Sequence, residues 1–263
     1  MSSPEETKRL SRERFGAAAE RYVRDRIHVE GDELDRMTGV AALSGGERVL
    51  DVATGGGHTA LAFAPLAREV WALDLTPAML VAAEQYVTGC GAGNVTFRLG
   101  DAEAIPFSDA EFDVVAARFA PHHFPKPERF LAEAARVLAP GGRLVIFDNM
   151  VPEDDELDAF MNRFEAWRDP SHVRSHRLSE WAAMLQAAGF DLIASDPLVR
   201  KRYDFDDWTA KQSMPRDERD ALECWLLAAP ARCREFLRIT AADGRLQWLE
   251  ATFGLIAGRR TEA

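Results

Sequence analysis

Cysteine is scarce. Cys90, Cys224 and Cys233 are the only three in 263 residues, an odd number without Cys-x-x-Cys spacing, which argues against both a disulfide frame and a zinc site and fits a reducing, cytoplasmic setting. No basic run stands out, and the net charge is −11. Nucleic-acid binding rests on neutralising phosphates, so a nucleic-acid partner is not expected. Long apolar runs are missing as well. No stretch approaches a membrane span, and Met1-Ser2-Ser3-Pro4-Glu5-Glu6 has no apolar signal core, so a soluble, unprocessed chain is expected. What is present is 47% hydrophobic and 29% charged residues, enough to bury a full core as one generous domain or as a domain with an appendage.

The most informative stretch is Arg48 to Gly57, Arg-Val-Leu-Asp-Val-Ala-Thr-Gly-Gly-Gly. A short apolar run ends in three glycines, and a helical pattern begins at His58, so the stretch predicts strand, tight turn and helix. Glycine tolerates the backbone angles such a turn needs, and bare backbone lets a ligand approach closely. Upstream, Ser3-Pro4-Glu5-Glu6 carries a cap residue, a first-turn proline and favourable acids, predicting a helix to about Arg26. A second helix follows Gly31-Asp32 with Leu34, Met37, Val40 and Ala41 on one face. These two helices either pack on a sheet edge or cover a ligand cleft, with Phe15 and Tyr22 turned inward.

Downstream, strands are expected at residues 69–73, 94–99, 112–117 and 142–147, with a helix after Asp74-Leu75-Thr76-Pro77 and another over residues 128–138 stopped by Pro140-Gly141-Gly142. Strands alternating with helices at this spacing imply a doubly wound parallel sheet, in which ligands bind at the carboxyl ends of the strands. Asp51, Asp74 and Asp101 fall at three successive strand ends, and Arg118-Phe119-Ala120-Pro121-His122-His123-Phe124 follows the fourth. Gly55-x-Gly57-x-x-Ala60 also fits a dinucleotide fingerprint, which by itself is weak.

These pieces together resemble the class I S-adenosylmethionine (SAM) dependent methyltransferases, most closely the small-molecule branch that includes ubiquinone and menaquinone biosynthesis enzymes. The resemblance rests on Asp51-Val52-Ala53-Thr54-Gly55-Gly56-Gly57, Asp74-Leu75-Thr76-Pro77-Ala78-Met79-Leu80, Gly100-Asp101-Ala102-Glu103-Ala104-Ile105-Pro106-Phe107 and Arg136-Val137-Leu138-Ala139-Pro140-Gly141-Gly142. One departure is Ala53, where the commonest pattern has glycine. The resemblance implies a Rossmann-like α/β fold: seven strands, mostly parallel with the last antiparallel, with N-terminal helices and a helical insertion before the last strand. It implies that the backbone of Ala53, Thr54, Gly55 and Gly57 faces the methionine part of SAM, with Asp51 near its ammonium. Asp74 would hold the ribose hydroxyls, a pair of donors that suits a carboxylate. Leu75 and Met79 would flank the adenine, Asp101 and the Ala102 N–H would read its edge, and Arg118 would begin the segment at the methionine end.

Several absences narrow the acceptor. The segment after the fourth strand lacks the Asn/Asp-Pro-Pro-aromatic pattern of DNA amino-methylating enzymes, and no Pro-Cys dipeptide offers a cytosine C5 nucleophile. Asp148-Asn149 is similar to part of a catechol-type metal site, but a third carboxylate is missing at Arg118-Phe119, so metal independence is expected. The cysteines lack an evident pairing for arsenite methylation.

His123 is the candidate base, on the same side as Phe119 if the segment makes one helical turn; His122 is its rival. Farther on, helices are expected at 153–167 and 179–189, a sixth strand at 190–199, a helical insertion at 205–239 and a last strand at 247–256. The cationic run Ser171 to Arg177 either receives an anionic acceptor or is a solvated loop. The expected plan is one structural domain: a helical lid at 1–44, a SAM-binding core at 45–150, and the remainder at 151–263, whose insertion walls the acceptor cleft or forms a homodimer face. The function expected is SAM-dependent methylation of a small molecule, leaving S-adenosylhomocysteine, with an NAD-dependent oxidoreductase or a noncatalytic SAM-binding module as alternatives.

Overall fold

The computed structural model describes residues 3–24, 32–196, 198–211 and 214–261. In chain order the elements are α1 (Pro4–Arg24), α2 (Glu33–Ala41), β1 (Arg48–Val52), α3 (His58–Phe63), β2 (Glu69–Asp74), α4 (Pro77–Gly89), β3 (Val95–Leu99) and β4 (Phe112–Arg118). They continue with α5 (Pro127–Val137), β5 (Leu138–Val151), α6 (Asp155–Arg168), β6 (His176–Arg177), α7 (Leu178–Ala187), β7 (Phe190–Ser195) and β8 (Val199–Asp204). The chain closes with α8 (Phe205–Lys211), α9 (Arg216–Leu227), α10 (Ala231–Phe236), β9 (Thr240–Ala242) and β10 (Arg245–Arg260).

The sheet runs β3-β2-β1-β4-β5-β10-β7. β1 pairs parallel with β2 and β4, while β10 pairs antiparallel with β5 and β7. Strand side chains alternate between faces, and this sets two separate cores. Val49, Ala72, Val114, Val145 and Phe147 face one side with Met37 of α2, Phe63 of α3 and Phe164 of α6. Leu50, Leu73, Val115, Leu144 and Ile146 face the other with Phe130 and Leu131 of α5 and Trp181 of α7. Strands buried on both faces explain the near-continuous apolar runs of the central strands.

The seven-strand plan holds as the spine of a ten-stranded sheet. Residues 190–199 are not one strand: β7 ends at Ser195, and β8 starts a separate antiparallel pairing with β10, Val199 opposite Phe253 through Asp204 opposite Trp248. β8 reads Val-Arg-Lys-Arg-Tyr-Asp, and its charges hide it from an apolar-run reading. β10 is longer than expected because its first half serves β8 and β9 and its second half serves β5 and β7. Pro140-Gly141-Gly142 lies inside β5 as an irregularity, since Phe112 pairs with Leu138 and Val114 with Arg143, and Gly141 takes a positive φ of 76° there. The second helix buries Glu33, Met37 and Ala41, with a carboxylate on the buried face and Leu34 only half-buried. The end of the first helix near Arg26, the Tyr22 side chain and Gly31 lie outside the described residues.

α1 packs against α4 and reaches the carboxyl ends of the strands. Among the described residues no helix is long and apolar enough to cross a membrane.

Candidate active site

A cleft of about 980 Å³, counting its open mouth, lies over the carboxyl ends of β1, β2, β3 and β4 and beneath α1. Its floor is the glycine loop. Gly55 takes a φ of 54° and Gly57 one of 83°, left-handed angles that glycine adopts readily. Gly57 is also a packing position, since a Cβ there would lie 2.8 Å from Val87 Cγ2. Ala53 holds a φ of 56° with a Cβ present, so the departure from glycine is kept in a left-handed conformation at local cost.

Three carboxylates shape this end. Asp51 is 1% exposed. Its Oδ2 accepts from the Thr54 hydroxyl at 2.6 Å and the Ala60 N–H at 3.0 Å, fastening the loop to the start of α3. Burial pushes its pKa up to about 7, against the opposing pull of Thr54, Arg118 and Ala60. Asp74 accepts from the Gly55 N–H at 2.9 Å and the Thr76 N–H at 2.8 Å, and burial raises its pKa as well. Asp101 Oδ1 accepts from the Glu103 N–H at 2.9 Å, while its Oδ2 pairs with Lys8 Nζ at 2.7 Å. Lys8 also meets Glu103 at 2.8 Å, so the first turns of α1 are tied to the rim beyond β3.

The other end is aromatic. Phe119 holds a φ of 52° and, with Phe15, His123, Phe124 and Pro125, lines the cleft beyond β4. Pro121–His123 form a single 3₁₀ turn that gives the two histidines different partners while their rings lie 4.0 Å apart. His122 turns inward: its backbone N–H donates to Asp148 Oδ2 at 2.7 Å and its Nδ1 meets Asp148 Oδ1 at 2.6 Å. Burial alone would lower the His122 pKa, but the Asp148 carboxylate outweighs it and the net shift is upward. His123 lines the cleft with Phe119, and Phe15 of α1 stands edge-on to its ring at 5.1 Å between centroids. Burial and the neighbouring His122 lower the His123 pKa to about 4, so the ring is neutral at pH 7. Behind β4, Arg118 Nη1 pairs with Glu33 Oε1 at 2.9 Å, and Lys201 of β8 reaches the same oxygen at 2.7 Å.

The fold that carries this cleft is shared with known proteins. Residues 50–146 match the family described as "Methyltransferase domain". The Bacillus subtilis (strain 168) protein described as uncharacterized methyltransferase YcgJ is 36% identical over 228 residues, covering 86% of this chain and 89% of that protein. The chain belongs to the methyltransferase family. The crystal structure of YcgJ superimposes with a TM-score of 0.83 at 35% identity, covering 88% of this chain and 98% of that one. A candidate methyltransferase from Bacillus halodurans C-125 gives a TM-score of 0.85 at 39% identity over 88% of this chain and all (100%) of that one. The ubiquinone/menaquinone biosynthesis C-methyltransferase UbiE of Dinoroseobacter shibae is 31% identical over 185 residues, 60% of this chain and 72% of that protein.

Of the residues singled out from this methyltransferase's sequence, Ala53, Thr54, Gly55, Asp74, Leu75, Met79, Asp101, Ala102, Arg118 and His123 line one cleft. Asp51 and Gly57 stand behind the lining and shape it. Lys8, Ser11, Glu33 and Glu103 escaped the sequence reading. Glu103 follows Asp101 by two residues and was within reach of it, whereas nothing local marks Lys8 or Glu33, whose partners are 93 and 85 residues away. The cationic run at 171–177 is internally paired and partly buried. Arg174 and Arg177 are paired with Asp158, and Ser171, His172 and Ser175 are buried.

Proposed function

We propose that this methyltransferase binds SAM across the glycine loop and transfers its methyl group to a small-molecule acceptor at the aromatic end of the cleft. The observation that carries the reading is the juxtaposition, in one cleft under α1, of a carboxylate-rimmed end at Asp74 and Asp101 and an aromatic end holding a neutral His123. The chemistry of the site suits an adenosyl ligand. Asp74 places a carboxylate, the natural acceptor for vicinal hydroxyls, at the cleft wall, and Gly55 presents bare backbone. In this reading residues 53–57 hold the methionine part and Asp51 biases that end electrostatically from behind the lining. Leu75 and Met79 flank the adenine, and Asp101 with the Ala102 N–H reads its edge.

SAM supplies, when bound, a sulfonium methyl that is already electrophilic. The protein therefore has mainly to align an acceptor and exclude water, for which orientation is worth ~7 to 11 kcal/mol against about 3 to 5 kcal/mol from a general base. α1 excludes water, Phe15, Phe119 and Phe124 stack the acceptor, and His123 accepts its proton. The small acceptor is supported by the cover that α1 gives the cleft, by its acidic rim and by the named biosynthetic relative UbiE. Asp148 is engaged with His122, which supports turnover without a metal.

The test is incubation with methyl-labelled SAM and a fractionated extract of small molecules, protein and nucleic acid. Label should enter the small-molecule fraction and do so with a chelator present. With the acceptor in hand, His123→Ala should lower turnover by about 10² to 10⁴ with SAM affinity within a few fold. Label found only in macromolecules would overturn the acceptor class, and unchanged turnover in His123→Ala from pH 6 to 9 would remove the base.

A further inference from the structure

The His123 ring takes its hydrogen bond from outside its own loop. Its Nδ1 lies 2.9 Å from the backbone carbonyl of Ser171, and the Ser171 hydroxyl is 3.3 Å away. A carbonyl oxygen only accepts, so Nδ1 must carry the proton, and in a neutral imidazole the lone pair is then on Nε2. The Ser171 carbonyl is aimed by Asp169, the residue that caps the end of α6. Asp169 Oδ1 accepts from the Ser171 N–H at 2.9 Å and from the Ser171 hydroxyl at 2.5 Å, and the His172 N–H donates to the Asp169 carbonyl at 2.9 Å. One carboxylate, 3% exposed, thereby fixes the turn that faces His123.

We propose that Asp169 is a positioning residue for His123: through the Ser171 carbonyl it keeps the proton on Nδ1 and leaves the Nε2 lone pair to the acceptor. The proposal rests on the reading of His123 as the base. It also explains how a histidine beside a cation-favouring His122 can take a proton. The titratable and charged groups around His123 are His122 with its partner Asp148 of β5, the neutral His172, Glu165 and Arg168 of α6, Asp169 itself, and Arg14 of α1, whose Nε is 3.5 Å from Asp169. His122 opposes an imidazolium at position 123, with the two rings 4.0 Å apart, and Asp169 offsets that opposition. Burial alone would raise the Asp169 pKa, but His123, Arg168 and the Ser171 hydrogen bonds outweigh it and hold the carboxyl below its ordinary range. Asp169 is therefore an anion whenever His123 is asked to charge.

The experiment is long-range ¹H–¹⁵N spectroscopy of histidine-labelled protein at pH 7 with S-adenosylhomocysteine, with His123 assigned by its loss in His123→Ala. In the wild-type protein Nδ1 should appear as the protonated nitrogen and Nε2 as the unprotonated one. Asp169→Asn, which can still accept from Ser171, should keep that tautomer while His123 titrates at lower pH. Asp169→Ala should give a mixture in which the two nitrogen shifts converge, with S-adenosylhomocysteine affinity within about threefold of wild type. An Nε2-protonated wild-type ring, or an unmixed Nδ1–H tautomer in Asp169→Ala, would overturn the proposal. Should the alanine variant not fold, the asparagine variant decides, and equal His123 titration in it and in the wild type would overturn the proposal. These spectra are independent of turnover, so loss of the base reading through a fully active His123→Ala is distinguishable from loss of the Asp169 assignment.

Discussion

The backbone N–H of Gly55 donates to Asp74 Oδ2 at 2.9 Å, so the end of β2 holds the glycine loop that ends β1. Asp74 thus shapes the loop, and under the proposed function it also accepts from the ribose of SAM. Hydrogen bonds to charged groups are worth about 1.5 to 3 kcal/mol each, so Asp74→Ala should weaken SAM binding by at least about tenfold. Isothermal titration measures this, with circular dichroism expected to show a folded protein at 25 °C. Wild-type affinity in Asp74→Ala would remove Asp74 from the cofactor site.

Lys8 offers a second test, at the cover over the cleft. Its side chain is 10% exposed and lies between Asp101 and Glu103 at 2.7 and 2.8 Å. Lys8→Met removes the cation and leaves the two carboxylates facing one another. Hydrogen exchange across residues 4–24 should quicken by about tenfold in the free protein while the central strands keep their protection. Equal protection in both proteins would mean that the apolar packing of α1 on α4 suffices to hold it.

Asp51 predicts a pH dependence of stability. Its pKa in the fold is about 7, against an ordinary value of 3.8. Below the lower value the group is protonated in both states and costs nothing. Between the two values the unfolded chain loses its proton first, so stability falls as pH rises, by roughly 1.4 kcal/mol per pH unit. Above about pH 7 the full cost remains. Asp51→Asn keeps an oxygen for Thr54 and Ala60 without the charge. Its stability advantage in denaturant titrations should grow from pH 4 to pH 7 and then level off. Parallel stability profiles for the two proteins would contradict the burial of an ionisable Asp51.

Much of the site was legible because its residues are local to strand ends. Asp51, Asp74 and Asp101 each close or follow a strand whose apolar run is visible, and the α/β alternation fixes the side on which they meet. The turn at Pro121–His123 was also foreseeable as one helical turn, which brings Phe119 and His123 to one cleft. What stayed hidden is long-range. Glu33 reads as a first-turn helix acid, and only the packing of α2 on β5 and β10 brings it to Arg118 of β4 and Lys201 of β8 as their buried partner. Asp169 and Ser171 lie 48 or so residues from His123 and carry no apolar periodicity to place them. β8 was missed for a related reason: its pairing with β10 is made by backbone, whereas its side chains are mostly charged.

The most direct measurement is thermal unfolding of the purified protein with SAM, S-adenosylhomocysteine and NAD in parallel. At 100 times its dissociation constant a ligand stabilises the fold by about 2.7 kcal/mol, which raises the midpoint of a domain this size by roughly 5 to 10 °C. Both sulfur-containing ligands should give that shift and NAD none. A shift with NAD and none with SAM or S-adenosylhomocysteine would contradict the assignment of the cleft.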